Sequence, residues 1–233
     1  MSKVYPLYPT PLYEERIEEP LLSPLQEELL SAYRKMQELG KFEQFPAKPG
    51  QYHSVSDATF KKGTLQHFHP VEIFEEVLHI NAIRYMKAIH APQNIITSLE
   101  NEMYETAIWL TKTVQGKHAI EHSHGDSDIS GVYYIQTNNQ DGNIYFRSPV
   151  KPHDSANSCY SHLTNTNVSI TPEVGKLMMF PGWLRHGVRT NETMHDRVSI
   201  SFNINIELPS GKDKDVDLLS YVNVNNRLGF DGK

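Results

Sequence analysis

Residues 197–207 alternate without a break: Val198, Ile200, Phe202 and Ile204 fall on one side, and Arg197, Ser199, Ser201, Asn203 and Asn205 on the other. Successive side chains of a β-strand point to opposite faces, so a period of two demands a sheet with one face in an apolar core. The polar face of such a strand ordinarily meets solvent. It can instead line the mouth of a barrel, where a guanidinium and hydroxyls would face a ligand. Arg197 suits a carboxylate there, because its planar fork makes two charge-assisted hydrogen bonds to one acid group. His186, on a strand-like run just upstream, favours the inward reading.

Upstream of this strand the pattern is of short β-rich runs, at 104–114, 129–136, 143–147, 166–170, 176–180 and 186–190. Turn formers separate them, notably Asn138-Asn139-Gln140-Asp141-Gly142 and Pro181-Gly182. The first hundred residues read differently. Ser23 before Pro24, with Gln26 three positions on, has the form of a capping box, and Leu25, Leu29, Tyr33 and Met36 then recur on one helical face until Gly40. A second helix is expected over 70–90, with Val71, Phe74, Leu78, Ala82, Tyr85 and Ile89 in register. Residues 40–64, rich in Pro, Gly, Lys and Ser, read as a loop. Helices gathered before strands indicate an α+β protein, and the jelly roll, or double-stranded β-helix, is the sheet architecture of this kind whose open mouth commonly holds a metal. The expected organisation is one domain over 1–233: an N-terminal extension with two helices packed on the sheet (1–100), a cupin-like double-stranded β-helix core (101–207) and a C-terminal tail (208–233).

His122-Ser123-His124 carries the metal signal. If it is a strand, both imidazoles point the same way and can reach one ion, and His186 completes a three-point site. The other nine histidines show no spacing that singles them out. A formal net charge of -6 and a pI near 6.0 argue against nucleic acid as the main partner. Cys159 is the one cysteine, which excludes an intrachain disulfide or a Cys-based zinc cluster and suits a reducing, cytoplasmic setting. No secretory signal and no membrane-length apolar run are read from the chain. Phe180 and Trp183 are expected to pack in the core and barrel rim. Tyr133 and Tyr134 should face opposite ways, one to the core and one to a ligand.

These residues resemble a family. Glu121-His122-Ser123-His124, Ile129-Ser130-Gly131-Val132-Tyr133-Tyr134, residues 175–184, Arg185-His186-Gly187-Val188 and residues 197–203 occur in an order similar to iron(II)/2-oxoglutarate-dependent oxygenases, specifically a prolyl-4-hydroxylase-like group of bacteria and phages. The likeness covers about 104–207, and the opening Pro6-Leu7-Tyr8-Pro9-Thr10-Pro11 is similar to the group's N-terminus.

The resemblance implies a double-stranded β-helix holding Fe(II), with 2-oxoglutarate as cosubstrate. It implies His122 and His186 as metal ligands, Arg197 on the distal carboxylate of 2-oxoglutarate, and Ser199 and Tyr134 beside that carboxylate. The implied reaction consumes O₂, releases succinate and CO₂, and hydroxylates an unactivated C–H bond on a prolyl or other peptidyl side chain or a small molecule. Position 124 departs from the wider superfamily, being His where a carboxylate is expected. The third ligand is therefore His124 or one of Asp126 and Asp128, with His124 ranked first because strand geometry would set it beside His122. Three neutral ligands also suit zinc. Two other functions stay open: a cupin-like metal-dependent dioxygenase that does not use 2-oxoglutarate, and a non-catalytic metal-binding barrel. Residues 40–64 and 149–165 are candidates to cover the mouth.

Overall fold

The computed structural model describes residues 10–44, 51–54, 65, 68–149 and 167–208. Among the described residues, eleven strands lie in chain order: β1 (Tyr13–Arg16), β2 (Phe42–Gln44), β3 (Gln51–Ser54), β4 (Tyr104–Thr113), β5 (Ala119–His122), β6 (Ile129–Gln136), β7 (Ile144–Arg147), β8 (Asn167–Ile170), β9 (Lys176–Pro181), β10 (His186–Val188) and β11 (Arg197–Ile206). Three helices, α1 (Leu22–Glu38), α2 (Glu72–Ala88) and α3 (Gln93–Glu100), precede β4. The strands form a seven-stranded sheet in the order β1-β9-β6-β11-β4-β3-β2 and a four-stranded sheet in the order β5-β10-β7-β8. Every pairing is antiparallel.

The alternation of β11 organises both layers. Its even-numbered face, Val198, Ile200, Phe202 and Ile204, is fully buried with Ile108 and Leu110 of β4, Tyr133 of β6 and Leu177 and Met179 of β9. Against it pack Leu25, Leu29 and Met36 of α1, Phe74 and Leu78 of α2 and Leu99 of α3. Burying each such side chain is worth about 1.5–3 kcal/mol, so this layer dominates stability. The other face of the large sheet meets the small sheet through a second cluster of Val132, Tyr134, Ile144, Phe146, Met178, Phe180 and Leu184. Gly131 lets the Phe202 ring cross β6: a Cβ there would stand 2.2 Å from Phe202 Cζ.

Several local expectations are corrected. The capping box does not form: α1 begins at Leu22, Ser23 sits inside its first turn bonded to the Glu19 carboxylate, and both amide atoms of Gln26 make no hydrogen bond. The 40–64 loop contains β2 and β3, which extend the large sheet beside β4; residues 45–50 and 55–64, like 150–166 and 209–233, lie outside the described residues. Helix α3 and the edge strand β1 were not expected, since each is too short to show a period in the sequence. Helix α2 has no side-chain cap of its own; Glu28 of α1 reaches across, its two carboxylate oxygens accepting the Ile73 and Phe74 N–H groups at 2.9 and 3.0 Å. Among the described residues, no helix is long and apolar enough to cross a membrane.

Candidate metal and diacid site

Between the two sheets, His122, His124 and His186 each offer a ring nitrogen, and these atoms all lie within 4.8 Å of one another. His122 ends β5 and His186 begins β10, directly opposed in register, so their rings share a face with centroids 4.4 Å apart. His124 arrives by a different route from the one alternation suggested. It lies past the end of β5, in a turn pinned by His124 N–H to the Gly182 carbonyl (2.8 Å) and Ser127 N–H to the His124 carbonyl (2.9 Å). Gly182 is required for that seat, because a Cβ would stand 2.1 Å from the Ser127 carbonyl oxygen and 2.6 Å from that of His124.

The backbone also sets two of the tautomers. His122 Nδ1 lies 2.8 Å from the Ile120 carbonyl, and His186 Nδ1 lies 2.9 Å from the Leu184 carbonyl. A carbonyl only accepts, so each Nδ1 carries a proton, and in the neutral ring Nε2 is the nitrogen with the lone pair. Phe146 and Phe180 pack against the His186 ring, with centroids at 6.2 and 4.7 Å, and limit water on that side. On the opposite side of the small sheet, Glu121 accepts hydrogen bonds from Arg185 (2.8 Å) and Arg147 (3.2 Å), clamping the neighbours of His122 and His186 together. The Arg185 hydrogen bond, followed by the Arg147 charge, holds the exposed Glu121 carboxyl below the ordinary carboxylate range.

Asp126 is exposed and Asp128 accepts the Ile206 N–H at 2.7 Å; neither belongs to the imidazole cluster. The donor set is three neutral nitrogens, which fits a divalent first-row ion of borderline softness.

The polar face of β11 turns inward. Arg197, Ser199 and Asn203 are all less than 8% exposed. Ser199 pairs across the ladder with Thr111 and Tyr134, and Arg197 with Thr113, so one interior lane runs from Arg197 towards Asn203, whose amide touches His124. Arg197 donates to the Asp141 and Gly142 carbonyls (3.1 and 2.8 Å) and to Thr113 Oγ1 (2.9 Å). Three of its five N–H groups are thereby used, all on neutral acceptors. A guanidinium this deep ordinarily has a carboxylate beside it. Among the described residues none bonds to it, and burial lowers its pKa, opposed by the neighbouring Tyr134 and Asp141. Tyr134, facing the same lane, is pushed up to about 12 by burial, so it is a neutral phenol and a donor.

Tyr133 and Tyr134 do face opposite layers: Tyr133 packs on Phe74 with ring centroids 5.7 Å apart, and Tyr134 lies between the sheets. Phe180 is core as expected, but Trp183 is 52% exposed, because it sits on the outward side of the turn that seats His124. Sequence reasoning gave no role to Asn203, to Ser130 bonded behind it, to Trp109 at 5.9 Å from His124, or to the Asp141-Gly142 carbonyls. Asn203 and Trp109 were discoverable, since each shares a strand face with Arg197 or its partner Thr113.

Two antiparallel sheets thus enclose a candidate metal site of three imidazoles and, on the same interior face, a buried guanidinium with no bonded carboxylate among the described residues. Residues 107–203 match the family described as "Putative 2OG-Fe(II) oxygenase". Over that stretch, which is less than half of the chain, the sequence is similar to the 2-oxoglutarate-dependent iron oxygenases. No curated protein matches it. Among solved structures, a Pseudomonas putida prolyl-4-hydroxylase is similar at 12% identity and TM-score 0.54, over 85% of this chain and 94% of that one. The epimerase SnoN of nogalamycin biosynthesis, in complex with Fe3+, alpha ketoglutarate and nogalamycin RO, gives 9% identity and TM-score 0.56, over 84% and 79%. HygX from Streptomyces hygroscopicus, with nickel and 2-oxoglutarate bound, gives 12% identity and TM-score 0.50, over 84% and 83%. At these identities the likeness is one of fold.

Proposed function

We propose that this protein is an Fe(II)- and 2-oxoglutarate-dependent oxygenase in which His122, His124 and His186 hold the metal and Arg197, with Ser199 and Tyr134, holds the distal carboxylate of 2-oxoglutarate. The observation that carries this reading is the buried Arg197, which among the described residues keeps two N–H groups to spare and bonds only to neutral acceptors, on the same interior face as the imidazole cluster. When bound, iron and 2-oxoglutarate supply the oxidising chemistry: O₂ is consumed, succinate and CO₂ are released and an unactivated C–H bond is hydroxylated.

The chain's own residues supply the rest. Ile120 and Leu184 fix two ligand tautomers, Phe146 and Phe180 keep water from one side of the cluster, and Tyr134 remains protonated and able to donate. In this reading the two sheets form a double-stranded β-helix with the N-terminal helices as its outer support, within one domain and in a cytoplasmic setting. A prolyl or other peptidyl side chain is the proposed substrate, supported by the sequence resemblance and by a prolyl-4-hydroxylase among the fold relatives.

A second reading has one observation in its favour. Three imidazoles without a carboxylate leave the ion more positive than a two-histidine, one-carboxylate set, as in a cupin-like dioxygenase that takes no 2-oxoglutarate. Anaerobic Fe(II) and 2-oxoglutarate separate the two. The proposal expects a weak visible charge-transfer band and, in air, succinate formation that depends on added iron. Metal binding with no band and no 2-oxoglutarate-dependent thermal shift selects the second reading; no metal binding at all refutes both.

A further inference from the structure

His124 differs from the other two imidazoles in what stands behind it. His122 and His186 rest on backbone carbonyls, which accept and nothing else. Behind His124 lies a side-chain amide, Asn203, with Nδ2 at 3.3 Å from His124 Nδ1 and Oδ1 accepting from Ser130 Oγ at 2.8 Å. Both supporting residues are buried, Ser130 at 1% exposure and Asn203 at 7%. An amide presents a donor at one end and an acceptor at the other, and turning it by 180° exchanges them without moving any heavy atom far.

With Nδ2 towards the ring, His124 Nδ1 accepts a hydrogen bond, the imidazole proton sits on Nε2, and that nitrogen has no lone pair for a metal. With Oδ1 towards the ring, Nδ1–H donates to Asn203 and Nε2 is free to ligate. Ser130 is the one kind of neighbour that tolerates both states, since its hydroxyl donates to Oδ1 in the first and accepts from Nδ2 in the second.

We propose that Asn203 is a positioning residue for the third ligand: metal binding reverses its amide, and Asn203 with Ser130 then holds His124 in the tautomer that ligates through Nε2. This inference rests on the metal-site reading above. It makes His124 the conditional ligand of the three, and the one whose strength a neighbouring side chain sets. Groups that support metal-ligating histidines in this way typically contribute 10–100-fold in metal affinity.

The test uses the full-length protein and Zn(II), so it does not depend on turnover. Long-range ¹H–¹⁵N spectra of the Zn(II)-loaded protein should show His124 protonated at Nδ1, like His122 and His186. Asn203→Leu, similar in shape but unable to bond, should bind Zn(II) about 10–100-fold more weakly. Asn203→Asp, which can only accept, should restore affinity to the parent level or above, with metal-free melting recorded for all variants to confirm folding. The inference is overturned if His124 Nδ1 carries no proton in the loaded protein, or if Asn203→Leu binds Zn(II) within about twofold of the parent while His186→Ala abolishes binding. Should the parent bind no Zn(II), the metal-site reading fails and this inference falls with it.

Discussion

Arg197→Met separates what the guanidinium does for the fold from what it does for a ligand. The side chain is 3% exposed and donates three hydrogen bonds, all to neutral oxygens. Removing it frees two backbone carbonyls and one threonine hydroxyl, each worth about 1–3 kcal/mol if left unsatisfied. It also removes a buried cation with no bonded counter-ion, and replacing such a charge by an apolar side chain of similar length is often neutral or stabilising by about 1–4 kcal/mol. The three freed acceptors together cost about 3–9 kcal/mol, only partly offset by the lost charge, so the ligand-free protein should melt below the parent while remaining folded.

The ligand tells a different story. Two unused N–H groups, at about 1.5–3 kcal/mol for each charge-assisted bond, make about 3–6 kcal/mol, or roughly 10²–10⁴ in 2-oxoglutarate affinity. In a thermal-shift assay with Zn(II), the parent at a hundredfold excess over its dissociation constant gains about 2.7 kcal/mol from the diacid. Arg197→Met should gain nothing at the same concentration, and Arg197→Lys, which keeps the charge but loses the fork, should fall between. The reasoning is refuted if Arg197→Met binds 2-oxoglutarate like the parent, or if its only defect is a ligand-free loss of several kcal/mol.

Three other outcomes follow from the geometry. His186→Ala and His122→Ala should each abolish Zn(II) binding in a calorimetric titration and His124→Ala should weaken it, whereas Asp126→Ala should leave it unchanged; binding kept in His124→Ala and lost in Asp126→Ala would move the third ligand to the carboxylate. Gly182→Ala forces a Cβ to 2.1 Å from the Ser127 carbonyl, so it should cost about 1–3 kcal/mol in a urea melt and weaken metal binding together, since the displaced turn carries His124. Burial raises the pKa of Glu28, against hydrogen bonds from Ile73 and Phe74, so the folded state binds this proton more tightly than the unfolded chain. That contribution is full below the unfolded value and is lost as pH rises through the folded one. Glu28→Gln should therefore flatten the stability profile across the carboxylate range, and an unchanged profile would show that Glu28 does not set it.

The relation between chain and site is uneven. The inward face of β11 could be read directly, because a period of two is local and the apolar half of it can only be core. Tyr133 and Tyr134 were separable for the same reason. The short elements β1, β2, β3 and α3 were not, since each spans too few residues to display a period and exists only where a partner strand or helix meets it. Position 23 looked like a cap, yet the chain starts α1 a residue earlier and uses Glu19, because the spacing of hydroxyl and amide does not say which carboxylate lies nearby.

Sequence alone determined the chemistry at hand: three imidazoles, one guanidinium, the order in which they occur and the strand face that carries the last. Tertiary structure alone decided that the imidazoles cluster and that Arg197 is buried on the same interior face. His124 is placed by a turn lying on Gly182, the guanidinium of Arg197 by two carbonyls more than fifty residues away, and the choice of His124 over Asp126 by where that turn points. Those are long-range contacts to backbone groups, which every residue possesses and which therefore leave no mark in the pattern of side chains.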